Sequence, residues 1–297
     1  MAQLEIKKIQ TFTGHTSGIF CLQSFGEEKF ISAGGDGQIV KWNAADEEEG
    51  KVIAKVNSTV YGMLVDGDRL VVGENSRALH LIDLIDNKAL RSIEIKSPIF
   101  SIERVGDRYL IGTGAGEVLS FDTSLNYLGK VKHSKKSLRA IAIGKGELAL
   151  GYSDNLIRIV DIESLEIKYE IEGHRLSVFG LAYNPQTGHL VSTGRDARIL
   201  AWNTFDHYRL EHDIPAHNYA CNHIVFRPDG KYFATGSMDK TIKIWDATTF
   251  ALLKVIDKAR HDGHGNSVNK LLWMDFNNLL VTCSDDRTIA VWDIKID

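Results

Sequence analysis

Apolar and polar positions alternate along this chain in short runs, and the runs recur. Seven stretches open on an apolar residue, two further residues and a second apolar residue: Ile19/Leu22, Val60/Met63, Ile99/Ile102, Leu138/Ile141, Val178/Leu181, Cys221/Ile224 and Val268/Leu271. Short apolar runs follow, separated by turn signals such as Glu27-Glu28, Gly67-Asp68, Gly106-Asp107, Pro228-Asp229-Gly230 and Asn277-Asn278. No run keeps the three-to-four spacing of a long helix, so the pattern predicts an all-β chain. Each stretch closes on a large apolar residue followed by Asp or Asn: Trp42-Asn43, Ile82-Asp83, Phe121-Asp122, Val160-Asp161, Trp202-Asn203, Trp245-Asp246 and Trp292-Asp293. A period of about forty residues marks a repeat architecture.

Four units carry more of a common motif. One runs from Ala216-His217 through Thr235-Gly236-Ser237-Met238-Asp239 to Trp245-Asp246, and another from Gly263-His264 through Thr282-Cys283-Ser284-Asp285-Asp286 to Trp292-Asp293. Gly14-His15 with Trp42-Asn43 and Gly173-His174 with Trp202-Asn203 supply the other two. In these residues the chain resembles the WD-repeat family of β-propellers, and the resemblance covers almost its whole length. It implies an all-β fold, a seven-bladed β-propeller of four-stranded antiparallel blades. The expected organisation is a single domain, 1–297, with approximate units 13–56, 57–95, 96–131, 132–171, 172–214, 215–258 and 259–297 plus 4–12. Outer strands are expected after most of the closing dipeptides, but little chain follows Trp292-Asp293. The alternating segment Leu4–Phe12 is therefore expected to pair beside residues 288–294 and close the ring, covering an open sheet edge.

The four motif-rich units place His, Ser or Thr, Asp and Trp in register. They are His15/Ser32/Asp36/Trp42, His174/Ser192/Asp196/Trp202, His217/Thr235/Asp239/Trp245 and His264/Thr282/Asp286/Trp292. Three of these residue types could form a hydrolase triad. A buried indole N–H needs an acceptor, however, and a hydroxyl can take it and pass a hydrogen bond to imidazole. Four equivalent copies tied to Trp read as structural networks within blades, as the family resemblance also implies. The next units in the chain depart from the pattern, with Ser76, Ala115 and Asp154 at the Asp position and Ile82, Phe121 and Val160 at the Trp position. His133 lies near its expected place. Blades 2 to 4 are accordingly expected to rest on apolar packing.

The resemblance implies that partners bind around the central channel, on the face carrying the Gly-His loops and Asp turns. The inner-strand positions it points to are Phe20, Tyr61, Phe100, Arg139, Phe179, Asn222 and Asn269. The positions before the turn Asp are Gly35, Asn75, Gly114, Ser153, Arg195, Met238 and Asp285. Four aromatics and an Arg at equivalent positions have the chemistry of a binding hot spot. The same rings could instead wedge between blades as core. A basic stretch, Lys130, Lys132, His133, Lys135, Lys136 and Arg139 with Arg175 and Arg195, could attract an acidic or phosphorylated segment. It could equally be a solvated loop, as the acidic run Asp46-Glu47-Glu48-Glu49 is expected to be, on the opposite face.

Composition narrows the classes further. At 297 residues and 43% hydrophobic the chain can bury a large core, and a net charge of −4 does not point to nucleic acid or a membrane. No segment has signal-peptide character or is apolar enough to span a bilayer. Cys21, Cys221 and Cys283 lack CxxC spacing and are expected as reduced core residues, which points to a cytoplasmic protein. His207, His212, His217, His223, His261 and His264 cluster along the sequence without metal-ligand spacing, so no metal is expected. Gly112-Thr113-Gly114-Ala115-Gly116 lacks the following helix that a phosphate loop requires, and no cofactor is expected. The expected function is a non-enzymatic protein–protein interaction scaffold that binds a peptide or protein segment around the central channel. The alternatives are a small-ligand or enzymatic propeller using the channel mouth, and an anion or nucleic-acid binder using the basic stretch.

Overall fold

A computed structural model describes residues 4–46 and 49–296. Seven sheets of four antiparallel strands follow one another along the chain. Their inner strands, Ile19–Phe25, Val60–Asp66, Ile99–Val105, Leu138–Ile143, Val178–Tyr183, Cys221–Phe226 and Val268–Trp273, define blades 1 to 7. Each inner strand touches the next, and that of blade 7 touches that of blade 1, so the ring closes. Closure uses the expected pairing. Leu4–Phe12 lies antiparallel to Ile289–Ile296, with Leu4 opposite Ile296 and Phe12 opposite Ile289.

The core is layered between blades. Blade 7 contributes Met274, Val281, Cys283, Ile289 and Val291 to one layer, and blade 1 fills it with Ile19, Leu22, Phe30 and Trp42. The next layer joins Cys21, Ile31 and Ile39 of blade 1 to Val60, Met63 and Leu70 of blade 2. Both faces of each blade are thus buried. This explains why a second strand such as Lys29–Gly34 is buried at every position from Phe30 onward rather than at alternate ones.

The recurrent Asp and Asn residues have two separate tasks. At the end of the third strand, the carboxylate of Asp83 accepts the backbone N–H of Ile85 and Asp86 at 2.8 and 2.9 Å, and Asp246 does the same for Thr248 and Thr249. These Asx turns reverse the chain toward the outer strand. On the other face, the turn between second and third strands puts one residue in the left-handed region in every blade: Gly37, Ser76, Gly116, Asn155, Ala197, Lys240 and Arg287. Where Asp precedes it, the carboxylate accepts the next backbone N–H, as Asp239 does from Thr241 at 3.0 Å and Asp286 from Thr288 at 3.0 Å. Gly116 is required by space as well, because a Cβ there would lie 2.2 Å from the Ser134 carbonyl oxygen.

Candidate functional site at the channel mouth

All seven inner strands share one irregularity. Register skips a residue between Ile19 and Cys21, Val60 and Gly62, Ile99 and Ser101, Leu138 and Ala140, Val178 and Gly180, Cys221 and His223, and Val268 and Lys270. The bulged residue is Phe20, Tyr61, Phe100, Arg139, Phe179, Asn222 or Asn269 in turn. A bulge re-aims the side chain of its extra residue. Repeated seven times, it turns one side chain per blade into the mouth of the channel, while the apolar residue before it stays buried.

These seven side chains line one cavity of about 330 Å³, together with His223, Met238, Ser267, Lys270 and Asp285. The four rings are half-buried and line this cavity, which places them at its rim. They also touch in sequence. The centroids of Phe20 and Tyr61 are 5.0 Å apart, and those of Tyr61 and Phe100 are 5.8 Å apart. The Arg139 guanidinium lies 4.1 Å from the Phe100 centroid and 5.8 Å from that of Phe179. An arc of four rings, with one cation between the last two, thus spans blades 1 to 5.

The arc of blades 6 and 7 is polar. Asn222 donates to the Ser267 hydroxyl and the Val268 carbonyl, both at 2.9 Å, and Asn269 donates to the Ile19 carbonyl at 3.0 Å and the Asp285 carboxylate at 2.8 Å. Gly18 permits the seam between blades 7 and 1, since a Cβ there would lie 2.6 Å from the Asp285 carboxylate.

Deeper in the channel, burial pushes the Glu103 carboxyl up to about 7, against the opposing pull of the Lys270 ammonium. Burial also holds His223 well below the ordinary imidazole range, with Lys270 adding to the effect. Its Nδ1 accepts the Leu271 N–H at 3.3 Å. Sequence reasoning missed Glu103, His223 and Lys270. The available signal was the polar pairs Asn222-His223 and Asn269-Lys270 in strands whose counterparts carry small or apolar residues at the second position.

Other expected site residues separate in space. Among the positions before the turn Asp, Met238 and Asp285 line the cavity and Ser153 accepts from Arg139 Nε at 3.1 Å. Arg195 is exposed and near enough to Arg139 to help hold its pKa down, after the larger effect of burial. Gly35, Asn75 and Gly114 do not contribute to the cavity lining. The basic stretch disperses. Lys130 lies on an outer strand and pairs with Glu117 at 2.7 Å, His133 is half-buried, and Arg139 turns into the mouth, leaving Lys135, Lys136, Arg175 and Arg195 exposed on the face of the Asp turns. The acidic run begins at Asp46, on the opposite side of blade 1, but its Glu47 and Glu48 lie outside the described residues.

The four tetrads are assembled as the residue types suggest. In blade 1, Trp42 Nε1 donates to Ser32 Oγ at 2.7 Å, Ser32 Oγ meets His15 Nε2 at 2.7 Å, and His15 Nδ1 meets Asp36 at 3.0 Å. Blades 5, 6 and 7 repeat this, with Trp–hydroxyl distances of 2.9 Å. Burial opposes ionisation of Asp36, Asp196, Asp239 and Asp286. Hydrogen bonds from imidazole and backbone N–H outweigh it and hold all four carboxyls below their ordinary value. The imidazoles therefore donate from Nδ1 and accept the hydroxyl proton at Nε2. Ser32, Ser192, Thr235 and Thr282 have no exposed surface, so their hydroxyls are closed to a substrate.

The apolar expectation for blades 2 to 4 needs correction. Glu74, buried in blade 2, accepts the Asn57 N–H at 3.0 Å and meets His80 Nε2 at 3.1 Å, while His80 Nδ1 meets Ser92 Oγ at 2.8 Å. Blade 4 buries Arg158 between Asp154 at 2.9 Å and Glu170 at 2.7 Å, and Asp154 also accepts from Ser134 Oγ at 2.6 Å. Backbone amides there still need partners: Asp154 accepts the Leu156 turn N–H at 3.2 Å, and Glu74 serves the incoming loop at Asn57 instead. Blade 3 comes nearest the expectation, packing around Tyr109, Ile111 and Phe121, with Ser97 Oγ accepting the Ala115 turn N–H at 3.0 Å.

The histidines that cluster along the sequence do not converge in space. His212 stacks on Phe250 at 4.4 Å, His207 lies beside Tyr169, and His217 and His264 belong to tetrads. Among the described residues no group of three His, Cys, Asp or Glu side chains is placed to hold a metal ion. The three cysteines are buried free thiols, and burial pushes Cys21 and Cys221 up to about 12.

A seven-bladed ring with indole–hydroxyl–imidazole–carboxylate networks defines a WD-type propeller. The family described as WD domain, G-beta repeat matches residues 6–43, 165–203, 208–246 and 257–293, just over half of the chain, and the chain belongs to it. Protein tipD of Dictyostelium discoideum is 25% identical over 306 aligned positions, covering 98% of this chain and 50% of that protein. WD repeat-containing protein 1-B of Xenopus laevis is 23% identical, covering 97% of this chain and 48% of its own length. This chain thus spans about half the length of these curated relatives. The crystal structure of the WD40 beta propeller domain of Doa1 superposes with a TM-score of 0.85 at 16% identity, over 97% of this chain and 96% of that one, which shows the common fold.

Proposed function

We propose that this propeller is a non-enzymatic interaction module that binds a peptide or protein segment at the channel mouth. The observation that carries the reading is the continuous arc Phe20–Tyr61–Phe100–Arg139–Phe179, delivered to the rim by the same bulge in successive blades. Half-buried rings on a rigid scaffold can bury area at little entropic cost, which is the composition of binding hot spots. WD propellers generally serve as interaction scaffolds, and that supports the same reading. A cytoplasmic setting belongs to it, on the strength of three buried, unoxidised thiols.

The test is affinity capture from a cell extract with the wild type and the Phe100→Ser/Phe179→Ser variant, with thermal melting of both. A protein held by the wild type and lost by an equally folded variant supports the reading. Retention of every captured protein by the variant would remove the mouth from consideration, and collapse of folding would show that the rings serve the core.

A further inference from the structure

The two faces of the ring differ in charge. Hairpin turns on the face opposite the mouth expose both signs, Glu27, Glu28, Asp68, Asp86 and Asp107 alongside Lys29, Arg69, Lys145 and Lys231. The mouth face exposes Lys135, Lys136, Arg175, Arg195, Lys240 and Arg287, and none of these forms an ion pair among the described residues. Inside the mouth the imbalance continues. Arg139 on blade 4 and Lys270 on blade 7 line the same cavity from opposite sides. Arg139 spends its Nε–H on Ser153, and neither cation has a carboxylate partner among the described residues. Asp285, the acid in the lining, already accepts from Asn269. Glu103, with its carboxyl pushed up to about 7, neutralises Lys270 only in part at physiological pH.

Aromatic rings beside a carboxylate can also receive a guest cation. Arg139 already occupies Phe100 and reaches Phe179, which leaves the Phe20–Tyr61 pair, with centroids 5.0 Å apart, as the open rings. A guest Lys or Arg seated there would enter a mouth that already holds Arg139 and Lys270. A guest anion would meet one carboxylate in the lining, Asp285, against two cations, and it would supply the acceptor that Arg139 and Lys270 lack while the charged face steers it in. Deepening the peptide-binding reading and resting on it, we infer that the mouth recognises an anionic side chain, carboxylate or phosphoryl, held between Arg139 and Lys270 beside an apolar residue seated on the Phe20–Tyr61 rings.

The experiment is a selection of random dodecapeptides displayed on phage against the whole chain. The selected sequence is then synthesised with Glu, phosphoserine, Gln or Lys at its most constrained polar position. Binding is read by fluorescence anisotropy. Acid-rich peptides should be selected, and Glu→Gln in the peptide should weaken binding about tenfold. The phosphoserine peptide decides between the two anions: tighter binding than Glu identifies phosphoryl, weaker binding identifies carboxylate. Lys270→Met and Arg139→Gln should each weaken the anionic peptide about tenfold and leave the Gln peptide within twofold. Arg139→Lys keeps the charge and guards against loss of the ring contact alone. Binding of the anionic peptide should also fall steeply between about 50 and 300 mM salt. Selection of Lys- or Arg-rich peptides, or loss on the protein variants that is equal for the Glu and Gln peptides, would overturn the inference while leaving a peptide site in place. Peptides that bind the Phe100→Ser/Phe179→Ser variant as well as wild type, or no selection at all, would instead overturn the underlying reading of the mouth, and the inference with it.

Discussion

Blades 1, 5, 6 and 7 and blades 2, 3 and 4 reach one fold by different chemistry. The first group carries the full tetrad, and it contains all four stretches that match the WD family. The second group has the same strand order, the same inner-strand bulge and the same left-handed turn residue without the tetrad. Blade 2 substitutes a Glu–His–Ser relay, blade 4 an Arg between two acids, and blade 3 apolar packing with single hydroxyls of Ser97 and Thr113 serving its turn. The tetrad is therefore one way of joining the second strand, the third strand and the incoming loop. The requirement underneath it is that buried polar groups and turn amides find partners. The mouth divides elsewhere: its aromatic and cationic arc crosses from blade 1 through the three divergent blades to blade 5, whereas blades 6 and 7 supply amides. Tetrad identity and binding chemistry vary independently around the ring.

The largest effect that would sharpen this contrast is expected from Thr235→Val. It leaves the Trp245 indole N–H and His217 Nε2 buried without partners, and should lower the unfolding free energy by about 3 kcal/mol. Thr113→Val in blade 3 removes one hydroxyl that serves only a turn and should cost about 1 kcal/mol. Urea denaturation at constant slope measures both, and equal losses would erase the distinction. Arg158→Met comes next. It breaks the blade 4 network but leaves Glu170 half in water, and should cost about 2 kcal/mol. A loss below about 0.5 kcal/mol, the level of an ordinary surface change, would return blade 4 to the apolar class.

The third effect depends on pH. A carboxyl with a folded pKa below its unfolded value contributes stability that is complete above the unfolded value, about 4, and is lost as pH falls further. Asp239→Asn should therefore be less stable than wild type at pH 7, and the gap should close on acidification below about pH 4. A gap that stayed constant from pH 7 to pH 2.5 in melting experiments would deny the ionised carboxylate its role. The smallest effect is at the turns. Ser76→Gly relieves a left-handed Ser in a blade without the turn Asp, and should raise stability by about 0.5 kcal/mol. Asn155→Gly, where Asn already tolerates the conformation, should change little.

The amino-acid sequence alone determined the architecture. The period, the apolar spacing of the inner strands and the Asp and Asn turns specify blade number and strand order, because each is a local feature of one repeat, and the alternating Leu4–Phe12 segment identifies the strand that completes the last blade. The tetrads were legible for the same reason: their members recur at fixed offsets within a blade. Rim positions could be named from the same offsets, but their exposure could not. Whether Phe20 or Phe179 faces the channel or the next blade depends on the bulge, which only paired strands reveal. Tertiary structure alone brought Arg139 over Phe100, dispersed the basic stretch between an outer strand and the mouth, and gathered Glu103, His223 and Lys270 from blades 3, 6 and 7 in one channel. These contacts join residues in different blades, and ring closure, which sets their distances and burial, is a property of all seven blades together.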